Sequence, residues 1–266
     1  MKSDTDLEIS EATLPGTRFR LESAQDPDSE INSLQNYQIS KNPSFTLAVK
    51  ESPDGKKQAE LVLEKSLDRE QEPTYHLVLT AVDGGDPVRS GTAQIRIKIT
   101  DVNDNSPVFT KQIYQISLRE NLPNGSPVLQ VTASDKDEGL NSRITYSFQS
   151  IPENTRKLFH LDADTGEIIN TATLDFEEKK KYTLELKARD EGGLTGHCKI
   201  EIEILDENDN SPEVIILSVS SPIPEDSPPG TVIALIKALD PDSGQNGEIS
   251  CHIQHYFPFL IISFSN

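Results

Sequence analysis

The chain has 266 residues, enough for about one to three domains. Its formal net charge of -19 argues against nucleic acid or anionic lipid as a partner, because so negative a surface repels phosphate. Its two cysteines, Cys198 and Cys251, fall in different repeats as defined below and can build neither a disulfide framework nor a zinc site.

Short alternating segments separated by turn residues run along the chain, with no sustained helical period. In chain order the clearest are residues 75–83, 95–99, 182–190 and 200–204. In the second of these, Ile95, Ile97 and Ile99 alternate with charged residues, which is typical of a half-buried antiparallel strand. About seven such strands in each repeat predict an all-β sandwich of the immunoglobulin-like kind.

Internal repeats divide the chain. The run Asp-x-Asn-Asp-Asn at residues 101–105 returns at residues 206–210, and Ser-Pro follows it both times. We therefore predict one repeat over residues 1–105, a second over 106–210, and the first half of a third over 211–266.

Acidic and amide residues recur in register within these repeats. Each repeat has a Glu before a Pro/Gly turn and an Asp-x-Asp pair with a trailing Asn. The two longer repeats also have Leu-Asp-x-Glu, an Asp that ends a strand begun by Tyr, and Asp-x-Asn-Asp-Asn, whereas the partial third repeat lacks them. Calcium prefers six to eight such oxygen ligands. The sequence therefore predicts calcium sites where the linker of one repeat meets the next.

Three sets of ligands are predicted. The first joint has Glu11, Asp68, Glu70, Asp101, Asn103, Asp104, Asn105, Asp135, Asp137, Asn141 and Asp190. The second joint has Glu120, Asp175, Glu177, Asp206, Asn208, Asp209, Asn210, Asp240, Asp242 and Asn246. A half-site without an upstream partner has Asp26, Asp28, Asn32 and Asp83. So many carboxylates repel one another unless cations neutralise them, so we expect more than one calcium ion at a joint.

The acidic residues have two other interpretations. Any single acid, taken alone, is more simply a solvated charge or a turn former. A carboxylate pair such as Asp135 and Asp137 could serve a glycosidase, but an active site need not be copied at every linker. The five histidines share no repeat position. We therefore expect no enzyme, no catalytic residue and no small-molecule substrate.

These motifs resemble the calcium motifs of cadherin repeats, over essentially the whole chain. LEISEATLPGTRFRLESAQDPD, LDENDNSPEV and PEDSPPGTVIALIKALDPDSGQNGEISCHI are similar to stretches of the clustered protocadherins, with the gamma subfamily as the nearer match and beta as the alternative. The resemblance implies tandem Greek-key immunoglobulin-like β-sandwiches that correspond to the second, third and part of the fourth extracellular repeats. It also implies three calcium ions at each joint.

The family also implies a function and a location. Its members are plasma-membrane glycoproteins whose extracellular repeats bind identical copies on an apposed neuronal membrane, in an antiparallel overlap, with partners of the same family in cis. We expect calcium to stiffen the joints rather than to contact the partner. A heterophilic receptor, a mechanical tether and a truncated soluble competitor of adhesion are the alternatives. Asn124-Gly125-Ser126 is a glycan acceptor sequence, and no run of about 20 apolar residues is present to span a membrane.

Overall fold

The computed structural model describes residues 4–28, 30–53, 55–253 and 259–262. Their contacts divide the chain into two units. The first unit contains Met1–Pro107, Ser134–Ile144 and Arg189–Thr195, and the second contains Val108–Ala133, Thr145–Ala188 and Gly196–Asn266. Each of the two predicted joints has all its ligands inside one unit, the first joint in the first unit and the second joint in the second.

The first unit contains a sandwich of two sheets. Within its described residues the strands are β1 (Asp4–Ser10), β2 (Arg18–Arg20), β3 (Leu34–Ile39), β4 (Phe45–Glu51), β5 (Lys57–Leu63), β6 (Thr74–Asp83) and β7 (Ser90–Thr100). One sheet has the order β1-β7-β6-β3 and the other the order β2-β5-β4. Strand β1 runs parallel to β7, whereas the other pairs are antiparallel.

Alternation along these strands builds the core of the first sandwich. Ile95, Ile97 and Ile99 of β7 are each 1% exposed, while the charged residues between them face solvent. This confirms the alternating strand that the sequence predicts. Phe45 of the second sheet meets Tyr75 of the first, with ring centroids 5.2 Å apart in an edge-to-face arrangement. Each buried aliphatic side chain of this core, such as Ile95, stabilises the fold by about 1.5–3 kcal/mol.

The second unit repeats this architecture and adds short strands to it. Its strands are β8 (Val108–Phe109), β9 (Ile113–Arg119), β10 (Pro127–Gln130), β11 (Ala133–Ser134), β12 (Thr145–Ser150), β13 (Phe159–Leu161), β14 (Glu167–Asn170), β15 (Lys181–Arg189), β16 (Thr195–Leu205), β17 (Glu213–Val219) and β18 (Ala234–Leu239). The orders are β12-β15-β16-β9, β10-β14-β13, β11-β8 and β17-β18. Strand β9 is parallel to β16, as β1 is to β7.

The second core uses the same positions as the first. Ile200, Ile202 and Ile204 of β16 are buried, and Phe159 meets Tyr182 edge-to-face with ring centroids 5.6 Å apart. Two short helical turns interrupt the β structure within the described part of the chain. They are a 3-10 helix at Glu30–Asn32 and the helix α1 at Glu153–Arg156, which has Pro152 as its N-cap residue.

The predicted fold class is confirmed, since the chain is an all-β protein built from sandwich repeats. Among the described residues, no helix has the length and apolar character that a membrane span needs.

Candidate metal centre

The structure contains two acidic centres, one at each predicted joint. We call the first-joint ligands the first acidic centre and the second-joint ligands the second acidic centre. Each is organised by a buried glutamate that follows the strand at the edge of its sheet. Glu11 accepts backbone hydrogen bonds from Arg69 at 2.8 Å and from Val102 at 2.7 Å. These contacts tie the loop after residue 67 to the loop after β7.

Asp101 and Asp137 connect the 101–105 run to residues 134–144. Asp101 Oδ2 accepts hydrogen bonds from the Glu138 N–H at 3.1 Å and from the Asn141 amide at 2.8 Å. Asp137, 6% exposed, accepts from the backbone N–H of Asn105 at 3.2 Å and from its side-chain amide at 2.8 Å. Four predicted ligands are therefore joined by direct contacts.

Asp190 brings a third segment into the first acidic centre. Its Oδ1 accepts from the N–H groups of Gly193 and Leu194, the latter at 2.9 Å. The Asn103 amide faces this carboxylate, and in the orientation that satisfies its contacts its nitrogen donates to Asp190 Oδ2 at 3.2 Å and to Asp137 Oδ2 at 2.9 Å. A Cβ at Gly192 would stand 2.2 Å from Asn103 Cγ, so a larger residue there would require the Asn103 side chain to move.

The carboxylates of the first acidic centre form three overlapping groups. In each group, one oxygen per residue lies within 4.8 Å of the others. The groups are Glu11, Asp68 and Glu70; Glu70, Asp104 and Asp137; and Asp135, Asp137 and Asp190. Shared members make the groups contiguous.

Burial, with the charges of neighbouring acids, raises the pKa of three residues of this centre, Glu70, Asp104 and Asp135. Burial, followed by the charges of Glu11 and Asp137, raises the pKa of Asp104. Burial also raises the pKa of Asp135, with the charges of Asp137 and Asp190 adding to it. For Asp101, burial acts in the same direction, but hydrogen bonds from Asn141, Glu138 and Arg69 outweigh it and hold the pKa below its usual value.

The second acidic centre follows the same plan. Glu120, 2% exposed, accepts from the N–H groups of Phe176 at 2.7 Å and Glu207 at 2.6 Å. Asp206 accepts from the Asn246 amide at 2.7 Å, and Asp242 accepts from the Asn210 amide at 2.7 Å.

Two acidic groups are formed in this centre. They are Glu120, Asp175 and Glu177, and Glu177, Asp206 and Asp242. Burial and the charges of Glu120 and Asp175 raise the pKa of Glu177. Asp209 and Asp240 bind nearby groups, because Asp209 accepts from the Asn121 amide and Asp240 from the Asp242 N–H. Asn208 is exposed beside them.

The predicted half-site near the start of the chain is less complete. Asp26 accepts from the Asp28 N–H at 3.0 Å, as Asp135 does from Asp137, and Asp83 accepts from the Arg89 N–H at 2.7 Å. Asn32 lies beside Gly85. Within the described part of the chain, however, Asp26, Asp28 and Asp83 are not brought together as an acidic group.

Whether a metal suits these centres can be judged from their donors. Asp135 Oδ2 and Glu177 Oε1 are buried without a hydrogen-bond partner, a costly arrangement for a carboxylate oxygen. The donors are all carboxylates and amides, without histidine or cysteine. Such a set fits a hard divalent cation that prefers oxygen.

Two residues with a role in these centres were missed from sequence. Gly192 lies directly against the Asn103 side chain, and the doubled Gly after Asp190-Glu191 was the signal that could have indicated it. Arg69 lies inside the first acidic centre, where its Nε is 2.5 Å from Asp101 Oδ1. The sequence showed it within Leu-Asp-Arg-Glu, but gave no indication that it points at the acids.

Comparison with known proteins agrees with this architecture. The cadherin domain family model matches residues 5–100 and 114–205. Human protocadherin gamma-B7 is 54% identical over 265 residues, which is 100% of this chain and 28% of that protein. The solved structure of protocadherin gamma-B7 extracellular cadherin domains 1–4 has a TM-score of 0.91 at 52% identity, covering 100% of this chain and 64% of that one.

A shorter solved structure matches less of the chain. Mouse clustered protocadherin gamma-C3 domains 1–3 gives a TM-score of 0.72 at 49% identity, over 77% of this chain and 66% of that one. The chain belongs to the cadherin family, whose members are adhesion proteins rather than enzymes. The predicted similarity to the gamma protocadherins is confirmed, and the chain spans 28% of the length of this curated relative.

Proposed function

We propose that this chain is part of a homophilic cell-adhesion protein and that calcium, bound at the acidic centres, stiffens it. The observation that carries the proposal is the first acidic centre itself. Its three contiguous acidic groups draw on segments around residues 11, 68, 101, 135 and 190, and one of its buried carboxylate oxygens has no partner.

Calcium is the cation that we assign to these donors. The first acidic centre would hold it through Glu11, Asp68, Glu70, Asp101, Asn103, Asp104, Asn105, Asp135, Asp137, Asn141 and Asp190. Three acidic groups support three ions there. The second acidic centre would use its own predicted set, and its two groups support at least two ions. Bound calcium supplies positive charge that relieves the repulsion between these carboxylates.

The chain's own residues explain why a joint would stiffen. Glu11 holds the loops at Arg69 and Val102, while Asp101 and Asp137 hold residues 134–144. Glu11 and Asp137 each lie in a group of like-charged carboxylates, whereas Asp101 has Arg69 as a partner. Without a counter-charge the links through Glu11 and Asp137 are weakened by repulsion, and domains with small interfaces then move freely.

We further propose that the chain corresponds to the second, third and part of the fourth extracellular repeats, with boundaries near residues 105 and 210. The support is the difference between the two matched structures. The structure with domains 1–4 covers 100% of this chain, whereas the structure with domains 1–3 covers 77% of it and is itself matched over 66% of its length. If the chain corresponded to repeats one to three, the structure with domains 1–3 would be expected to cover all of it. The shortfall supports a correspondence to repeats two to four.

The proposed partner is an identical protein on an apposed cell, bound antiparallel, with cis partners of the same family. The proposed location is the extracellular side of the plasma membrane. Similarity to the gamma protocadherins supports both, and no feature of the two centres favours a tether or a soluble competitor instead.

Bead aggregation tests adhesion. Beads carrying the longer ectodomain with these repeats should aggregate with like beads in calcium and should not mix with beads carrying an unlike protocadherin. Calcium dependence has a separate test on the chain itself. Chelation should change its scattering profile and expose the Asn103–Ser106 segment to proteases, and an unchanged profile and cleavage rate would refute the stiffening role.

A further inference from the structure

The two acidic centres differ at one residue that lies among their ligands. Leu67-Asp68-Arg69-Glu70 in the first centre corresponds to Leu174-Asp175-Phe176-Glu177 in the second. The backbone performs the same task in both, because the N–H of Arg69 donates to Glu11 and the N–H of Phe176 donates to Glu120. Arg69 and Phe176 therefore occupy corresponding positions with the same backbone contact, and their side chains are what differs.

Arg69 puts its positive charge inside the first centre. Its Nε donates to Asp101 Oδ1 at 2.5 Å, and its Nη2 donates to Glu70 and to the Lys136 carbonyl, the latter at 2.8 Å. The side chains of Arg69 and Asp101 are each 12% exposed, and that of Glu70 is 13% exposed. An ion pair so shielded from water is screened far less than a surface pair.

Phe176 brings no charge to the second centre. Its ring is half-buried, and the ammonium of the exposed Lys180 lies 4.3 Å from the ring centroid. Asp206, the counterpart of Asp101, accepts its hydrogen bonds from the Ser243 N–H and the Asn246 amide, which are neutral donors. The guanidinium of Arg119 lies at the edge of the second centre, on a side chain 75% exposed, and pairs at 3.5 Å with Glu207, which is not one of the predicted ligands.

We propose that Arg69 is a resident cation of the first acidic centre that is anchored by Asp101 and competes with calcium for Glu70, because Glu70 belongs to two of the acidic groups and Asp101 to none of them. The first centre then takes calcium more weakly than the second and changes less when calcium is removed. This inference rests on the proposed calcium function. Two effects act in the same direction, since a cation must displace the guanidinium from its carboxylates and is also repelled by its charge.

Reciprocal variants test the proposal. Calcium is titrated into the whole chain, and backbone amide NMR signals report binding at each centre separately. The signals of Asn103 and Gly192 report the first centre, and those of Asn208 and Gly247 report the second. R69F should lower the calcium concentration at half-saturation of the first centre on the order of tenfold, with the second centre unchanged. F176R should raise the value for the second centre by a similar factor.

Matched variants control for charge and folding. R69K keeps the charge and should stay near the parent chain, which also protects the test if R69F folds poorly. Arg96→Gln removes a cation that pairs with Asp4 on the outer surface and should leave both centres unchanged. In chelator, R69F should also speed proteolysis within residues 103–106, an effect that Arg96→Gln should not share.

The outcomes separate the two proposals. Absence of saturable calcium binding at either centre of the parent chain would overturn the proposed function. Saturable binding with the same first-centre midpoint in R69F and Arg96→Gln would overturn the role of Arg69 alone. A weaker first-centre affinity in R69F would also overturn it, because it would make Arg69 a supporter of the metal site.

Discussion

The first and second sandwiches share their sheets and their alternating strands but differ at one end of the core. The first has an open cavity of about 240 Å³ at its surface, lined by Thr5, Leu21, Tyr37, Ala93 and other residues that include the exposed Glu22 and Gln25. In the second, Phe109 on the short strand β8 lies against Tyr146, with ring centroids 6.0 Å apart. Tyr37 and Tyr146 correspond, since each hydroxyl accepts from a backbone N–H, that of Ala24 or that of Ala133.

The difference teaches that the same four-stranded and three-stranded sheets can carry different packing beside their core tyrosine. Two further positions enlarge the contrast. Thr5 pairs with Ile95 in the first sandwich, where Tyr114 pairs with Ile200 in the second, and Ala93 stands where the second sandwich has Cys198. Larger side chains occupy both positions in the second sandwich, which also has the paired short strands β8 and β11, so both side-chain volume and this extra strand pair separate the two.

Phe109→Ala, which removes the ring that packs on Tyr146 in the second sandwich, is expected to have the largest effect on stability. We expect it to destabilise the second sandwich by about 3–5 kcal/mol, because a buried ring is removed and a cavity is left. Chemical denaturation, with hydrogen exchange to resolve the two units, would measure the loss. Val108→Ala is the matched control, since Val108 is 65% exposed and its truncation should cost less than about 0.5 kcal/mol. Equal losses for the two variants would contradict the role of Phe109.

Calcium removal gives the next largest effect. At a calcium concentration about 100 times the dissociation constant, one site stabilises a protein by roughly 2.7 kcal/mol. Asp104→Ala should lower that gain in the first unit only, because Asp104 shares an acidic group with Glu70 and Asp137. Scanning calorimetry with calcium and with chelator measures it. Asp6→Ala, on a side chain 77% exposed, is the control, and equal melting shifts and calcium isotherms would contradict the assignment.

Periodicity and repetition made much of this molecule predictable. Ile95, Ile97 and Ile99 alternate with charged residues, and burial of one face follows directly from that period. The first-centre ligands were grouped from sequence because five kinds of acidic element recur in register. A repeat reveals which residues act together even when they are far apart in the chain.

Side-chain direction and packing could not be read in this way. In the sequence, Arg69 is recognisable only as part of the Leu-Asp-Arg-Glu motif. Its contact with Asp101 depends on how the loops at residues 69, 101 and 136 converge. The cavity in the first sandwich depends on the volumes of Thr5 and Ala93, which alternation does not report. The separation of Asp26 and Asp28 from Asp83 is likewise a matter of loop placement.

Filling the cavity should sharpen the comparison. Thr5→Tyr introduces the side chain that the second sandwich has at the corresponding position, where the Tyr114 hydroxyl bonds Thr110. We expect the first sandwich to gain about 0.5–2 kcal/mol, measured by denaturation with unit-resolved hydrogen exchange. Glu8→Tyr, at an exposed position of the same strand, should change little. A loss of stability in Thr5→Tyr would mean that the ring overpacks the core.

The smallest effect that we predict is a dependence on pH in chelator. The folded state raises the pKa of Asp135 above 3.8, so the folded chain binds a proton there more tightly than the unfolded chain does. Stability from this group is therefore present at low pH and is lost as the pH rises through the folded pKa. Asp135→Asn should remove that loss and raise the melting temperature in chelator at pH 7.

Asp162 supplies the control of opposite sign. Hydrogen bonds from the N–H and hydroxyl of Thr165 lower the pKa of Asp162, so its contribution is present above pH 3.8 and is lost as the pH falls through its folded pKa. Asp162→Asn should therefore lower the melting temperature at pH 7, with or without calcium. Asp135→Asn should raise it only in chelator, and should reduce the gain on adding calcium. If both variants shifted the melting temperature in the same direction in chelator, burial and like-charge repulsion at Asp135 would be the wrong explanation.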